Sequence, residues 1–502
     1  MAANVKTSPT VDSEDAGTPV NAVDVLIVGA GLSGIGAAVR LQRLSSRSYA
    51  ILEARDAIGG TWDLFRFPGV RSDSDMYTLG YSFRPWTGAQ AIADGASILA
   101  YIKDTAREAG VEARIRFGHR VIKASWCGVS ARWTLEVRRS GGRTAVSFRC
   151  RFLYLCSGYY RYDSPHRPHF PNESAFLGTI VHPQQWPAGL DYAGKRVIVV
   201  GSGATAYTLV PEMAKRAAHV SMLQRSPSYV FDLPSVDAMA KGFSRWLPGR
   251  LTYPLVRMKN ILIGALMFQF ARRRPALAKQ WLLGLVTDRL PPGFDVARHF
   301  TPRYNPWDQR VCVVTDGDLF KAIARGAVSV VTDEIDTFTA TGIRLKTGAE
   351  MAADIVVSAT GLTLNVLGDI DFTVDGVRLD VARCMAYKGA MLSGVPNFAY
   401  SFGYTNASWT LKAELTAGYV CRLLRHMDAH GYSVAVPRHD PAVAARSLLD
   451  FTSGYVVRAA ELLPKQGTHR PWKLYQNYFL DVLALRFGRI GDGILEFSGR
   501  AA

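Results

Sequence analysis

Val25-Leu-Ile-Val-Gly29-Ala-Gly31-Leu-Ser33-Gly34 is an apolar, β-branched run that opens into GxGxxG and is followed by the small residues Ala37-Ala38-Val39. A strand, a tight turn and a helix are implied in that order. Gly29 permits the turn, Gly31 lets backbone N–H groups approach a pyrophosphate, Gly34 allows helix and strand to pack closely, and the helix N-terminus stabilises the anion. Glu53 ends the next predicted strand, Tyr49-Ala-Ile-Leu-Glu53. Its carboxylate is spaced to accept hydrogen bonds from the ribose hydroxyls of an adenine nucleotide, and it would repel a phosphate on that ribose.

About 170 residues further on the pattern returns as Arg196-Val-Ile-Val-Val-Gly201-Ser202-Gly203-Ala204-Thr205-Ala206-Tyr207, with Ala206 in place of the last glycine. Here the following strand ends in Gln224-Arg225-Ser226. A guanidinium and an amide stand where the first unit has Glu53, so a ribose 2′-phosphate would be paired rather than repelled. NADPH is therefore the expected donor, against the alternative of a solvated arginine that merely follows a strand.

Between the two fingerprints lies Phe176-Leu-Gly-Thr-Ile-Val-His182-Pro-Gln-Gln-Trp186-Pro187, the pattern FxGxxxHxxxWP. A second stretch, Gly59-Gly-Thr61-Trp62-Asp63-Leu64-Phe-Arg-Phe-Pro-Gly-Val-Arg71-Ser72-Asp73, reads GGxWxxxx[FY]PGxxxD. Through these two stretches the chain resembles the type I Baeyer-Villiger monooxygenases. Ser72 to Gly80, Tyr304 to Arg310 and Gly403 to Lys412 make it similar to the ethionamide-activating subgroup. The resemblance runs from about Val23 to Phe497. It implies an α/β fold with two Rossmann-like dinucleotide-binding domains, one for FAD and one for NADPH, and a mainly helical insertion.

Carried over residue by residue, the resemblance puts FAD against Gly29, Gly31, Ser33, Gly34, Glu53, Thr61, Trp62, Asp63, Leu64 and Asp73, with Val121 beside the adenine. NADPH would meet Arg71, Ser72 and Asp73 near the flavin ring, the turn Gly201, Ser202, Gly203, Ala204, Thr205, Ala206 and Tyr207, and Gln224 with Arg225 at the 2′-phosphate. The family's active-site arginine corresponds to Arg310, held by Asp73. Its fixed charge would stabilise a peroxide anion on the flavin and the oxyanion of the ketone adduct. Spacing alone does not separate Arg310 from Arg298 or Arg303. Many relatives carry Lys, a phosphate contact, where this chain has Gln309. His182 is expected to serve a hinge or packing role rather than proton transfer. The aromatics Trp409, Trp472, Tyr475 and Tyr478 could line a pocket, or fill a core.

The organisation expected is a disordered tail over 1–21, an FAD domain over 22–160, a linker over 161–175, an NADPH domain over 176–232 and 310–361, a helical insertion over 233–309, and a second FAD part over 362–502. A chain of 502 residues with 48% hydrophobic content can bury more than one core. Six cysteines without CxxC or a metal-like cluster read as reduced cytosolic thiols, which points to the cytoplasm. Residues 241–310 hold thirteen Lys or Arg against three Asp, a net +10 of the chain's +17. The apolar run from Ile261 to Ala271 is shorter than the ~20 residues that cross a bilayer. Peripheral contact with anionic lipid through 241–310 is one reading, and a solvated cationic face is the other. Nucleic acid is not expected, because no binding motif accompanies the charge.

The reading that follows is an NADPH- and O₂-dependent oxygenation of an apolar ketone to an ester or lactone through a C4a-peroxyflavin, with sulfides, thioethers or thioamides as further substrates. An oxygenase of nitrogen or sulfur only, an NADPH:acceptor reductase and a membrane-bound redox-sensing flavoprotein are the rivals. Trp186-Pro187 and the Gly59 to Asp73 signature favour the first reading over the nitrogen- or sulfur-only oxygenase.

Overall fold

The computed structural model describes residues 21–500 apart from 143, 244 and 366, so the tail expected over 1–21 lies almost wholly outside the described residues. The first fingerprint forms strand β1 (Asn21–Val28), helix α1 (Leu32–Leu44) and strand β2 (Tyr49–Leu52). β1 pairs in parallel with β2, Val25 opposite Tyr49, and on its other side with Ala145–Leu155. The sheet continues from Ala145–Leu155 through the antiparallel strands Arg132–Arg139 and His119–Cys127. Late segments complete it: Asp371–Val374 pairs with His119–Cys127, and Phe398–Tyr400 pairs with Ala145–Leu155. Buried side chains on both faces explain the near-continuous apolar reading of β1.

The second fingerprint forms β3 (Arg196–Val200), α2 (Ala204–Met213) and β4 (His219–Gln224). Its sheet is all parallel, in the order Val328–Thr332, β4, β3, Ile355–Ser358, Thr179–Val181. The architecture is thus α/β with two dinucleotide-binding sheets. Ile355–Ser358, the last strand of the segment expected over 310–361, lies inside the second sheet. Cys312–Thr315 does not rejoin that sheet: it forms a separate parallel pair with Val230–Leu233, and Val328–Thr332 is the strand that resumes the larger one.

The chain passes between the two sheets at residues 159–161 and again at 363–365. These crossings lie side by side, with Arg161 N–H donating to Thr363 O and Asn365 N–H to Tyr159 O. Gln184 adds a brace, its amide nitrogen donating to the carbonyls of Arg161 at 2.7 Å and Tyr162 at 2.9 Å.

The expected insertion is helical: α3 (Ala238–Phe243), α4 (Gly249–Arg273), α5 (Pro275–Thr287) and the short turn Val296–His299. One ion pair fastens it to the first unit. Arg257 on α4 is buried, meets Glu414 at 2.9 Å and donates to the carbonyls of Tyr77 and Gly80. Glu414 in turn accepts from Arg40 and Ser82, so the buried charges are compensated.

Candidate functional site

Two cavities meet at one ion pair. The first, about 530 Å³, lies at the carboxyl ends of β1 and β2, where open α/β sheets bind ligands. Gly29 bounds it with φ +105°, and a Cβ there would stand 2.5 Å from the carbonyl oxygen of Cys156. A Cβ on Gly34 would lie 1.9 Å from the carbonyl oxygen of Gly29, so both positions exclude a side chain for steric reasons. Gly31 caps α1 without any side-chain hydrogen bond, and the first turn carries no acid. Free N–H groups and the helix dipole are therefore presented to the cavity, as an anion requires.

Glu53 is buried at the cavity edge and accepts from Ala30 N–H at 2.7 Å and Arg55 N–H at 2.9 Å. Burial pushes its carboxyl above the usual range, and these amides together with the Arg55 charge oppose that shift. Thr61, Trp62, Leu64, Ser33, Ser72 and Val121 join Gly29, Gly31 and Glu53 in the wall. Ser72 closes a local turn, its hydroxyl accepting from Ser74 N–H and donating to Ser74 O. Asp63 does not reach the cavity: it is buried against Arg55 at 2.6 Å and Arg66 at 3.3 Å, and Arg55 also donates to Gly60 O. That carboxylate orders the glycine turn from behind.

The second cavity, about 540 Å³, is mostly apolar, lined by side chains of α4 and α5 with Val311, Phe451 and Tyr478. Asp73, Arg310 and Tyr404 border both cavities. Arg310 meets Asp73 at 2.6 Å and keeps about a third of its side chain exposed. Asp73 first, with Tyr159, Tyr160 and Tyr455 behind it, raises the pKa of this guanidinium, which stays charged. Arg298 and Arg303 border neither cavity, and Arg298 instead donates to Thr332 O.

The residues expected to hold NADPH are more scattered. Arg71 is paired with Asp318 at 2.6 Å and lines neither cavity. Gly201 has φ +142°, and a Cβ there would lie 2.4 Å from Ala359 O, whereas Gly203 faces open space at the start of α2. Ser202 donates to Ser226 O at 2.7 Å, which fixes the turn beside the exposed Arg225. Ala204 and Thr205 form the half-buried first turn, and Ala206 and Tyr207 are packed in the core. Only their backbone can face a nucleotide. Gln224 departs from the expectation. It is 1% exposed, and its amide donates to His299 O at 2.8 Å and Thr332 Oγ1 at 3.0 Å. As the last residue of β4, it has the inward face of the strand, which leaves Arg225 alone outside.

His182 is buried and caps the turn Pro183–Gln185, its Nδ1 accepting from Gln184 N–H at 3.1 Å. Burial lowers its pKa to about 4, with Arg167 and His166 acting in the same direction, so the ring is neutral near pH 7. The aromatic group divides: Trp409 lines the first cavity, Tyr478 the second, Tyr475 borders a small neighbouring void, and Trp472 is core.

Sequence reasoning missed Tyr159, Tyr160 and Tyr162. They follow Ala145–Leu155 directly and line the first cavity. Tyr159 stacks on Trp409 at 4.8 Å and shares a 2.6 Å hydrogen bond with Tyr160, and burial raises both phenols. Position at the carboxyl end of a central strand was the signal available. Tyr404 was also missed: it donates to buried Asp481 at 2.6 Å, which pairs with Lys412 at 3.0 Å.

Residues 91–374 match the flavin-binding monooxygenase-like family, and residues 27–89 match an NAD(P)-binding Rossmann-like domain. The FAD-containing monooxygenase EthA of Mycobacterium tuberculosis is 53% identical over 483 residues, covering 96% of this chain and 98% of that one. The chain belongs to the flavin-binding monooxygenase-like family. A second member, the EthA of Mycolicibacterium smegmatis, is 49% identical over 482 residues, with 95% and 98% covered. Among solved structures the fold is shared with an oxidized steroid monooxygenase bound to NADP, at a TM-score of 0.72 and 21% identity, over 95% of this chain and 99% of that one. A cyclohexanone monooxygenase from Rhodococcus sp. Phi1 bound to NADP+ gives 0.73 at 17% identity, over 96% and 100%.

Proposed function

We propose that this flavin monooxygenase contains FAD, takes electrons from NADPH and inserts one oxygen atom of O₂ beside a ketone carbonyl. Ketone, O₂, NADPH and a proton give ester or lactone, NADP⁺ and water. Sulfides and thioamides are proposed as further substrates. The observation that carries this reading is the Asp73–Arg310 pair on the common wall of the two cavities, the second of which is mostly apolar.

The first cavity fits FAD by its own chemistry. It offers a helix N-terminus without a side-chain cap for a pyrophosphate, a buried carboxylate at Glu53 for ribose hydroxyls, and Ser157 with a buried hydroxyl that has no hydrogen-bond partner among the described residues. Reduced flavin, when bound, supplies the activation of O₂. The residues around it do the rest. Arg310 holds a positive charge beside the place where an oxyanion develops, and Asp73 keeps that charge in position. Tyr159 and Tyr160 remain protonated donors near neutral pH because burial raises their pKa values. The apolar second cavity excludes water and takes an apolar substrate.

NADPH fits the turn at Gly203 and the start of α2, with Arg225 pairing the 2′-phosphate. Arg71 and Ser72 are proposed to approach the nicotinamide end, which requires Arg71 to exchange its contact with Asp318. Gas chromatography of products from linear, cyclic and aryl ketones and thioethers tests the reading. Ester or lactone formed with stoichiometric NADPH loss is the expected result. Sulfoxide alone, or NADPH loss without any oxygenated product, would overturn the ketone reading.

A further inference from the structure

We propose that the outer face of α4 and α5 docks on an anionic lipid bilayer, and that apolar substrate passes from the acyl layer straight into the second cavity. The substrate half of this rests on the function proposed above, whereas the docking half does not.

Leu251, Leu255, Met258, Leu262 and Leu266 recur at steps of four, three, four and four residues, which places them on one stripe of α4. Each is about half exposed. Tyr253, Val256, Arg257 and Ile261 occupy the opposite, buried side of the same helix. A surface helix ordinarily keeps its outer face polar, so an outward apolar stripe needs a cover. Trp246, 88% exposed, extends the stripe at one end, and Leu277 and Trp281 widen it from α5.

The charge identifies the cover. Residues 241–287 contain nine Lys or Arg and no Asp or Glu. Arg257, Lys259 and Arg272 are held by Glu414, Asp237 and Asp308 within the protein. Arg245 and Arg250 at one end of α4, and Arg273 and Arg274 at the other, are exposed. Cations at both ends of an apolar stripe suit a helix lying in the interface, its leucines among acyl chains and its arginines at the phosphate plane. A second copy of the chain would set one acid-free surface against another, and like-charge repulsion opposes that pairing. No helix among the described residues is long and apolar enough to cross a membrane, so the contact is peripheral.

The second cavity lies against the inner side of α4 and reaches the edge of the stripe at Trp281, which belongs to both. Ile263, Gly264 and Met267 of α4, Met239 of α3 and Trp281 of α5 form its wall, and Met239 and Ile263 are half exposed. Arg310 borders the same cavity. A substrate partitioned into lipid therefore reaches the guanidinium without crossing bulk water.

Holoenzyme is sedimented with vesicles of phosphatidylglycerol and phosphatidylcholine, and with phosphatidylcholine alone. Binding that needs phosphatidylglycerol and falls at high salt is expected. Arg273→Gln/Arg274→Gln and Leu262→Gln/Leu266→Gln, none of which borders either cavity, should each weaken binding several-fold. They should also slow turnover of a long-chain ketone held in vesicles while leaving a short, water-soluble ketone unaffected. Absence of binding at low salt, binding indifferent to both double variants, or equal loss on both ketones would overturn the proposal. A salt-sensitive dimer abolished by the leucine variant would overturn it too, in favour of a second copy. Failure of wild-type protein on the soluble ketone, with vesicle binding intact, would refute the oxygenation and leave the docking surface standing.

Discussion

Asp73 Oδ2 lies 2.6 Å from the guanidinium of Arg310, and the two side chains come from segments more than 230 residues apart in sequence. Asp73 ends the glycine-rich stretch below the first cavity, and Arg310 follows the helical insertion. The pair is therefore a joint between three parts of the chain as well as a charge at the meeting of two cavities.

Replacing Arg310 by alanine should leave a yellow, folded protein that still oxidises NADPH. Product formation should fall by hundreds to a thousand-fold, the effect of losing about 3–4 kcal/mol of preorganised stabilisation. Product per NADPH consumed, with hydrogen peroxide release followed in parallel, measures this. Normal ester yield from the variant would remove Arg310 from the reaction.

Gln224 is enclosed, so Arg225 alone is proposed to meet the 2′-phosphate. Arg225→Ala should raise KM for NADPH by about ten- to a hundred-fold, as expected for one charge-assisted contact of ~1.5–3 kcal/mol. KM for NADH should change little. Gln224→Ala, by contrast, should lower the unfolding temperature without changing the ratio between the two donors.

His182 is neutral in the folded protein down to about pH 4, against an ordinary value of 6.5. Between those values the unfolded chain binds the extra proton, so stability contributed by the neutral ring is complete above about pH 6.5 and is lost as pH falls toward 4. His182→Asn keeps an acceptor for Gln184 N–H. Thermal unfolding at pH 5 and pH 7.5 should show a smaller difference for the variant than for the native chain.

The Arg257–Glu414 pair is buried on both sides, with side chains 8% exposed. Arg257→Ala leaves Glu414 with Arg40 as its one remaining cation, so it should cost up to the ~3–5 kcal/mol of a broken buried pair, whereas Arg257→Met/Glu414→Leu should cost less. Denaturant unfolding of the three proteins compares them. Equal stability of single and double variants would show that the charges carry no such penalty.

Much of this arrangement was legible in the sequence, for a physical reason. Glycines forced by close backbone approach, such as Gly29, Gly34 and Gly201, leave a pattern that no other residue can satisfy. Glu53 and Arg225 are likewise fixed by the strand end that carries them. Side-chain direction was less readable. Gln224 and Asp63 are polar residues in the right stretches, yet one turns into the core and the other braces a turn from behind. Tyr159, Tyr160 and Tyr404 were hidden because tyrosine serves a core and a cavity wall equally well, and only packing decides between them. The strand pairings of Asp371–Val374 and Phe398–Tyr400 were unreadable for another reason: pairing across more than 240 residues leaves no local trace.

The paired crossings at 159–161 and 363–365 constrain how the two nucleotide units can move. Two independent tethers would let each unit swing freely, but a hydrogen-bonded ribbon is stiff in its own plane and compliant chiefly in twist. Gln184, clamped to the carbonyls of Arg161 and Tyr162, forces Trp186 and its neighbours to follow any such rotation. The second unit is thereby geared to the first like a key turning in a collar. A nick in either crossing alone would leave the two halves in register.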